Sequence, residues 1–459
     1  MAPPPLSPPT SLSWSEQPLR ELLRLSWPTA ISLISLSIMT LADTLFIGWI
    51  GSSELAAAGL GGVCAFTALS FGMAVLAAAK VKVGESHGRG DIDAVNQGLG
   101  AFLRLAGALG AFSILLAWLT ARALPHLTPL LETGTMAADY LSIRSWGFLP
   151  VMVSTAIVHW LQAQGDSKTA MRAALLANVA NIPLNALLVF GCGLGVYGAA
   201  TATAVSRVAE MAYLVVRQSQ HAFPLSAGRR TVPGFHLSKA SWGHAGEALM
   251  TGLSTGVERV LDMIAFAAIP LLLAQLGSYH VAAHQIVLQI TLFSFLPLIA
   301  LSESVSVLTA QAVGAGALTL VPKLNRLGLI AALGYAVICG VACIALAGPL
   351  VAIFSSELDL RQLAQRTLLY GALLQLLNAA YNHFKGVLRG LSVFRFVAWV
   401  TVGCAWIVTP PLTYVWGVVA GHGAPGAWLV LCVEVSIGAT ILIWRTHKEL
   451  AARLLKAGQ

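Results

Sequence analysis

The chain has 459 residues, 57% of them hydrophobic and 10% charged, with a mean hydropathy of +0.78. Soluble chains carry about a quarter charged residues, and 27 Lys and Arg with 19 Asp and Glu are too few to wet a surface of this size. The net charge of +8 is scattered rather than gathered into a footprint, so a cytosolic enzyme, a disordered chain and a nucleic-acid binder are excluded, and a polytopic membrane protein remains.

Residues 1–18, rich in Pro and Ser, read as a flexible tail, and no cleavable signal sequence is expected. A bilayer core is crossed by about 20 apolar residues in a helix. Twelve stretches meet this length, near 22–47, 56–80, 95–121, 138–162, 169–191, 196–217, 245–273, 281–310, 324–351, 364–388, 394–419 and 425–445. Runs this long and continuous exclude strands. The expected fold is all-α, with twelve transmembrane helices in two pseudo-symmetric six-helix lobes. The first lobe covers 19–217 and the second 245–445, joined by a cytoplasmic loop at 218–244 and followed by a tail at 446–459.

The first span carries Asp43 late in its length. A carboxylate at that depth is costly unless neutral, paired or facing a wet cavity, so Asp43 is read as a proton or cation site, with Na⁺ as the candidate metal ion. The alternative is a helix-end residue reaching the outer interface. Span four holds Arg144, read as a structural pair with Asp139. Span five supplies Asn178, Asn181 and Asn185; the last two are one turn apart and face one way. Span six adds Thr201 and Thr203, and Arg207 stands three residues before Glu210. These amides and hydroxyls read either as partners of Asp43 or as glue between helices.

Span seven holds Glu258, Arg259 and Asp262. The two acids lie on one face and read as a second-lobe ion site or as a salt-bridge network. Glu303 in span eight and Glu434 in span twelve are further candidates. His284 and Gln285, at the start of span eight, read as helix-packing residues. The six cysteines form no CxxC pair and read as small buried hydrophobes. There is no phosphate-binding Gly-rich loop and no His-Glu-x-x-His. No enzyme activity, cofactor or firm metal site is expected.

The halves repeat each other. Ile50-Gly51 lies opposite Leu276-Gly277, Val83-Gly84 opposite Val313-Gly314, Pro183-Leu184 opposite Pro411-Leu412, and Gly198-Ala199 opposite Gly426-Ala427, at offsets of 226 to 230. Four ordered pairs six spans apart point to two parallel bundles, as in alternating-access carriers. Most of the 27 basic residues fall on one side, among them Arg20, Arg24, Lys80, Lys82, Arg89, Lys168, Arg229, Arg230, Lys323, Arg445 and Lys448. This bias predicts cytoplasmic termini in a cell inner membrane.

Several of these stretches carry a family likeness. Leu276-Gly277, Val281-Ala282-Ala283-His284-Gln285, Val313-Gly314-Ala315-Gly316 and Gly386-Val387-Leu388-Arg389-Gly390 mark the second half. Pro28, Asp43-Thr44, Ile50-Gly51, Gln164-Gly165-Asp166, Asn181-Ile182-Pro183-Leu184-Asn185 and Gly195-Val196-Tyr197-Gly198-Ala199-Ala200 mark the first. The ordered set resembles the multidrug and toxic compound extrusion (MATE) family, prokaryotic type, over essentially the whole chain after residue 18. The resemblance implies a secondary antiporter that exports cationic, amphipathic compounds against inward H⁺ or Na⁺. It places the family's first-helix carboxylate at Asp43, its span-five partners at Asn181 and Asn185, and its span-seven acid at Asp262, with Glu258 one turn earlier. A span-ten acid of many members falls at Asn378, which is neutral, and this departure leans the reading toward proton coupling through Asp43. Organic cations, H⁺ or Na⁺ and the bilayer are the expected partners, and the chain is expected to be a monomer. The alternative is a flippase for lipid-linked precursors from the same superfamily.

Overall fold

The computed structural model describes residues 12–128, 131–220, 223–224, 230–231 and 242–457. Residues 1–11 of the expected tail and most of the expected inter-lobe loop lie outside the described residues. Fifteen α-helices follow one another among the described residues. In the first half they are α1 (Pro18–Gly48), α2 (Ser52–Gly88), α3 (Ile92–Leu127), α4 (Leu131–Ser145), α5 (Phe148–Ala163), α6 (Ser167–Asn185) and α7 (Gly195–Gln220). A two-residue strand pair joins Phe223–Pro224 to Arg230–Thr231. Then come α8 (Trp242–Leu273), α9 (Ser278–Gly314), α10 (Leu320–Ala345), α11 (Ala347–Ala352), α12 (Leu358–Gly390), α13 (Phe394–Ile407), α14 (Thr409–Leu412) and α15 (Gly423–Ala457).

Nine helices among the described residues are long and apolar enough to cross a membrane, and α4 with α5, bent by 47° at a short break, makes a tenth span. The fold is therefore all-α and polytopic. Helices α8 and α12, at 32 and 33 residues, are as long as the others, and among their apolar residues α8 carries Glu258, Arg259 and Asp262 and α12 carries Lys385 and Arg389. Breaks elsewhere have local causes. Asp91 and Asp166 cap α3 and α6 by accepting the backbone N–H groups of Ala94 and Thr169. Gly277 takes φ 110° before α9, a conformation open to glycine.

The repeat recognised at Pro183-Leu184 and Pro411-Leu412 has a structural counterpart. Helix α6, with Pro183 inside, runs into a π-helical turn at Ala186–Gly191, and α14, which opens on Pro410 and Pro411, runs into one at Thr413–Val419. Proline removes a backbone donor and crowds the preceding turn, so the ladder is looser where it would otherwise continue.

The chain divides into two units, one of Ile31–Gly256 and the other of the chain before Ile31 together with Val257 onward. The divisions fall within α1 and α8. The first unit has a core of Val75, Leu76, Phe102, Met152 and Trp160, with the Trp160 indole donating to the Val95 carbonyl at 2.9 Å. The second packs Val287, Leu368, Tyr381, Phe384 and Trp428 together. In that unit Gly386 and Gly390 of α12 meet Ser302 and Ser306 of α9, where an added Cβ would lie 2.5 and 2.6 Å from a backbone carbonyl oxygen. Small residues one turn apart thus set a close helix contact. Trp14, expected in the flexible tail, is buried in the same unit against Leu308, Ala312 and Leu450, and its indole donates to Gln311 Oε1 at 2.9 Å.

Candidate functional site

Asp43 lies on α1, Asn181 and Asn185 on α6, and Thr203 on α7. The four are buried, at 4%, 0%, 0% and 3% exposure. Asn185 Nδ2 donates to Asp43 Oδ1 at 2.7 Å and to Asn181 Oδ1 at 3.0 Å. Asn181 Nδ2 donates to Thr203 Oγ1 at 3.4 Å, and Thr203 Oγ1 donates to Asp43 Oδ2 at 2.7 Å. The bonds close a circuit in which Asp43 only accepts, the pattern of an ionised carboxylate. Asn185 Oδ1 is buried without a hydrogen-bond partner. A carboxylate with a spare amide oxygen beside it provides acceptors for a proton or a small cation.

Asn178 lies outside the circuit. Its amide donates to the Ser35 carbonyl at 2.6 Å and to the Ser35 hydroxyl, tying α6 to α1. Thr201 is half-buried and bonds back to the Tyr197 carbonyl at 2.8 Å. Arg207 pairs with Glu210 at 2.7 Å. Arg144 is not paired with Asp139: its Nη1 donates to Tyr140 Oη at 2.8 Å, whereas Asp139 accepts from Tyr197 Oη at 3.4 Å. Residues four apart on a helix meet and residues five apart diverge, which accounts for the exchange.

In the second unit, Glu258 of α8 is buried and accepts two bases from α12. Lys385 Nζ lies 2.7 Å from Oε1, and Arg389 Nη2 donates to both oxygens at 3.0 Å. Lys385 also stands over the Tyr381 ring, 5.4 Å from its centroid. Asp262, one turn further along α8 and half-buried, acts electrostatically on Glu434 of α15, whose Oε2 accepts from Thr409 at 2.5 Å. Glu303 sits half-buried on α9, beside Ser302, which donates to the Asn382 carbonyl at 2.6 Å. His284 is fully buried, with Nδ1 accepting from the Trp428 indole at 3.2 Å and Phe266 alongside at 5.8 Å. Gln285 is exposed.

Lys385 and Arg389, the bases on Glu258, lie more than a hundred residues from it along the chain, so no local spacing in the sequence signals the pairing. Tyr140 was also missed; its four-residue distance from Arg144 was the available signal.

A polytopic bundle of apolar helices with a hydrogen-bonded carboxylate buried in one unit is an arrangement suited to a membrane carrier. The MatE family matches at residues 28–187 and 255–415, and the chain belongs to this family. The two matches begin as far apart as the paired sequence motifs do. A probable multidrug resistance protein NorM of Deinococcus radiodurans is 30% identical over 443 residues, covering 93% of this chain and 94% of that protein. One of Pseudomonas putida is 28% identical, covering 96% of each. Among solved structures, an outward-facing multidrug resistance MATE family transporter of the MOP superfamily aligns with a TM-score of 0.87 at 18% identity, over 96% of this chain and 99% of that one. That likeness is one of fold.

Proposed function

We propose that the chain is a secondary antiporter that exports cationic, amphipathic compounds in exchange for an inward-moving ion, with Asp43 as the coupling carboxylate. The observation that carries this reading is the closed circuit of Asp43, Asn185, Asn181 and Thr203. It holds an ionisable group at depth, away from water, with no base bonded to it. An entering proton or Na⁺ and a departing organic cation would both be drawn to that charge. Competition between them, with each favouring a different conformation, couples the two fluxes. Membership of the family and relatives named as multidrug resistance proteins support the substrate class.

The architecture belonging to this reading has twelve spans in two six-helix lobes. Helices α8 and α12 supply the remaining two, with Glu258 on the one met by Lys385 and Arg389 on the other. The excess of basic residues on one side supports cytoplasmic termini in a cell inner membrane, and the proposed unit is a monomer. In the second lobe Asp262, with Glu303 and Glu434 as neighbouring candidates, remains for an auxiliary site, whereas Glu258 is already matched by fixed bases.

The test is ethidium export from proteoliposomes holding the purified protein, with pH and Na⁺ gradients imposed separately. One gradient should drive export, and Asp43→Asn should abolish that coupling. Undiminished coupled export by Asp43→Asn would overturn the assignment of Asp43.

A further inference from the structure

Helices α13 and α15 belong to successive crossings and run antiparallel, and two contacts fix their register. The Arg445 guanidinium of α15 lies over the Phe396 ring of α13, 5.1 Å from its centroid. About two turns further along α15, Arg453 Nη2 donates to the carbonyl of Leu391, just ahead of α13, at 2.8 Å. Helix α15 has 35 residues, about 50 Å at 1.5 Å per residue against a hydrocarbon core of about 30 Å, so its last turns stand beyond the core.

Val397 and Thr446, the residues after Phe396 and Arg445, are fully buried, whereas the residues before them, Arg395 and Trp444, are exposed. Each helix turns one flank to the core and the other outward, and because the pair is antiparallel the two outward flanks adjoin. One turn along α13 from Arg395 comes Trp399, 78% exposed, and one turn along α15 from Trp444 comes Lys448, also exposed. The bases Arg395 and Lys448 thus share the outer level, with the indoles of Trp399 and Trp444 one turn deeper. Glu449 accepts from Arg445 Nη2 and from Arg453 Nε, both at 2.9 Å. Among the described residues no carboxylate pairs with Arg395 or Lys448, and Lys448 Nζ stands over the Trp444 ring, 5.1 Å from its centroid.

We propose that this seam between α13 and α15 binds an anionic phospholipid, with the phosphate between Arg395 and Lys448 and the acyl chains against Trp399 and Trp444. Charge complementarity selects the occupant. Two bases without an acid attract a phosphate, and indoles just beneath them match the boundary between headgroup and chains, where such rings concentrate. A soluble anion would answer the bases and leave both exposed indoles unmatched. A zwitterionic lipid brings a positive group of its own to the same bases and binds less well.

The test is native mass spectrometry of the purified full-length protein in detergent, titrated with phosphatidylglycerol or phosphatidylcholine. The wild type should retain phosphatidylglycerol at concentrations well below those needed for phosphatidylcholine. Arg395→Gln combined with Lys448→Gln should weaken retention of phosphatidylglycerol by about thirtyfold and leave phosphatidylcholine unchanged. Lys168→Gln combined with Lys323→Gln removes the same charge from exposed positions elsewhere and should keep wild-type retention. Thermal unfolding in detergent checks that both double variants are folded. Equal retention of the two lipids by the wild type overturns the proposal. So does an equal loss in the two double variants, since total charge is then the agent. Displacement of phosphatidylglycerol by an equal concentration of inorganic phosphate also overturns it, since the bases then hold a soluble anion.

Discussion

Asp43 takes one hydrogen from an amide and one from a hydroxyl, and the worth of each depends on its charge. Hydrogen bonds to an ionised group contribute about 1.5–3 kcal/mol, roughly twice the neutral value. Thr203→Val keeps the shape and deletes the donor on Oδ2. It should lower thermal stability in detergent by about 1–2 kcal/mol. An unchanged unfolding curve would count against that hydrogen bond. Polar residues at membrane depth were conspicuous in the sequence, so Asp43, Asn181, Asn185 and Thr203 could be named from it. Their connectivity could not, since α1, α6 and α7 meet only in the folded chain. Asn178 shares the α6 periodicity of Asn181 but ends on Ser35 instead. Helical spacing fixes the face and leaves the depth open.

At the scale of helices, α8 and α12 illustrate how charges within apolar helices are met. Glu258 of the first is answered by Lys385 and Arg389 of the second. Glu258→Gln leaves two half-buried bases without their acid and should destabilise the protein by up to about 3 kcal/mol. Lys385→Gln should cost less, since Arg389 still answers the acid. Unfolding curves of the two variants in one detergent decide the order. Gly386→Val should also be destabilising by several kcal/mol, as its side chain would enter the Ser302 carbonyl on α9. Span lengths were legible because water-excluding runs must be long. The bend between α4 and α5 and the π turns were not, because a proline or glycine marks a weak point without saying which way the helix yields.

For the whole molecule, the testable matter is sidedness. Cys192, between α6 and α7, is exposed, while Cys64 and Cys339 are half-buried and Cys343, Cys404 and Cys432 are buried. With cytoplasmic termini, Cys192 faces the cell exterior. A membrane-impermeant maleimide should therefore label intact spheroplasts, and Cys192→Ser should abolish the labelling. Labelling that requires lysis would invert the orientation. The repeat was legible at this scale because duplicated turns keep their glycines and prolines, and its spacing recurs in the two family matches. The matched π turns have a mechanical consequence. A π turn holds one residue more than the α-helix needs, and one residue is a rotation of about 100° about the axis. Shifting that surplus along the helix would swing the intervening side chains onto another face without breaking the span. Each half carries this slack at the same station, at Ala186–Gly191 just after Asn185 and at Thr413–Val419. A bundle so equipped has a way to re-aim side chains by twisting, with no helix having to leave its neighbours.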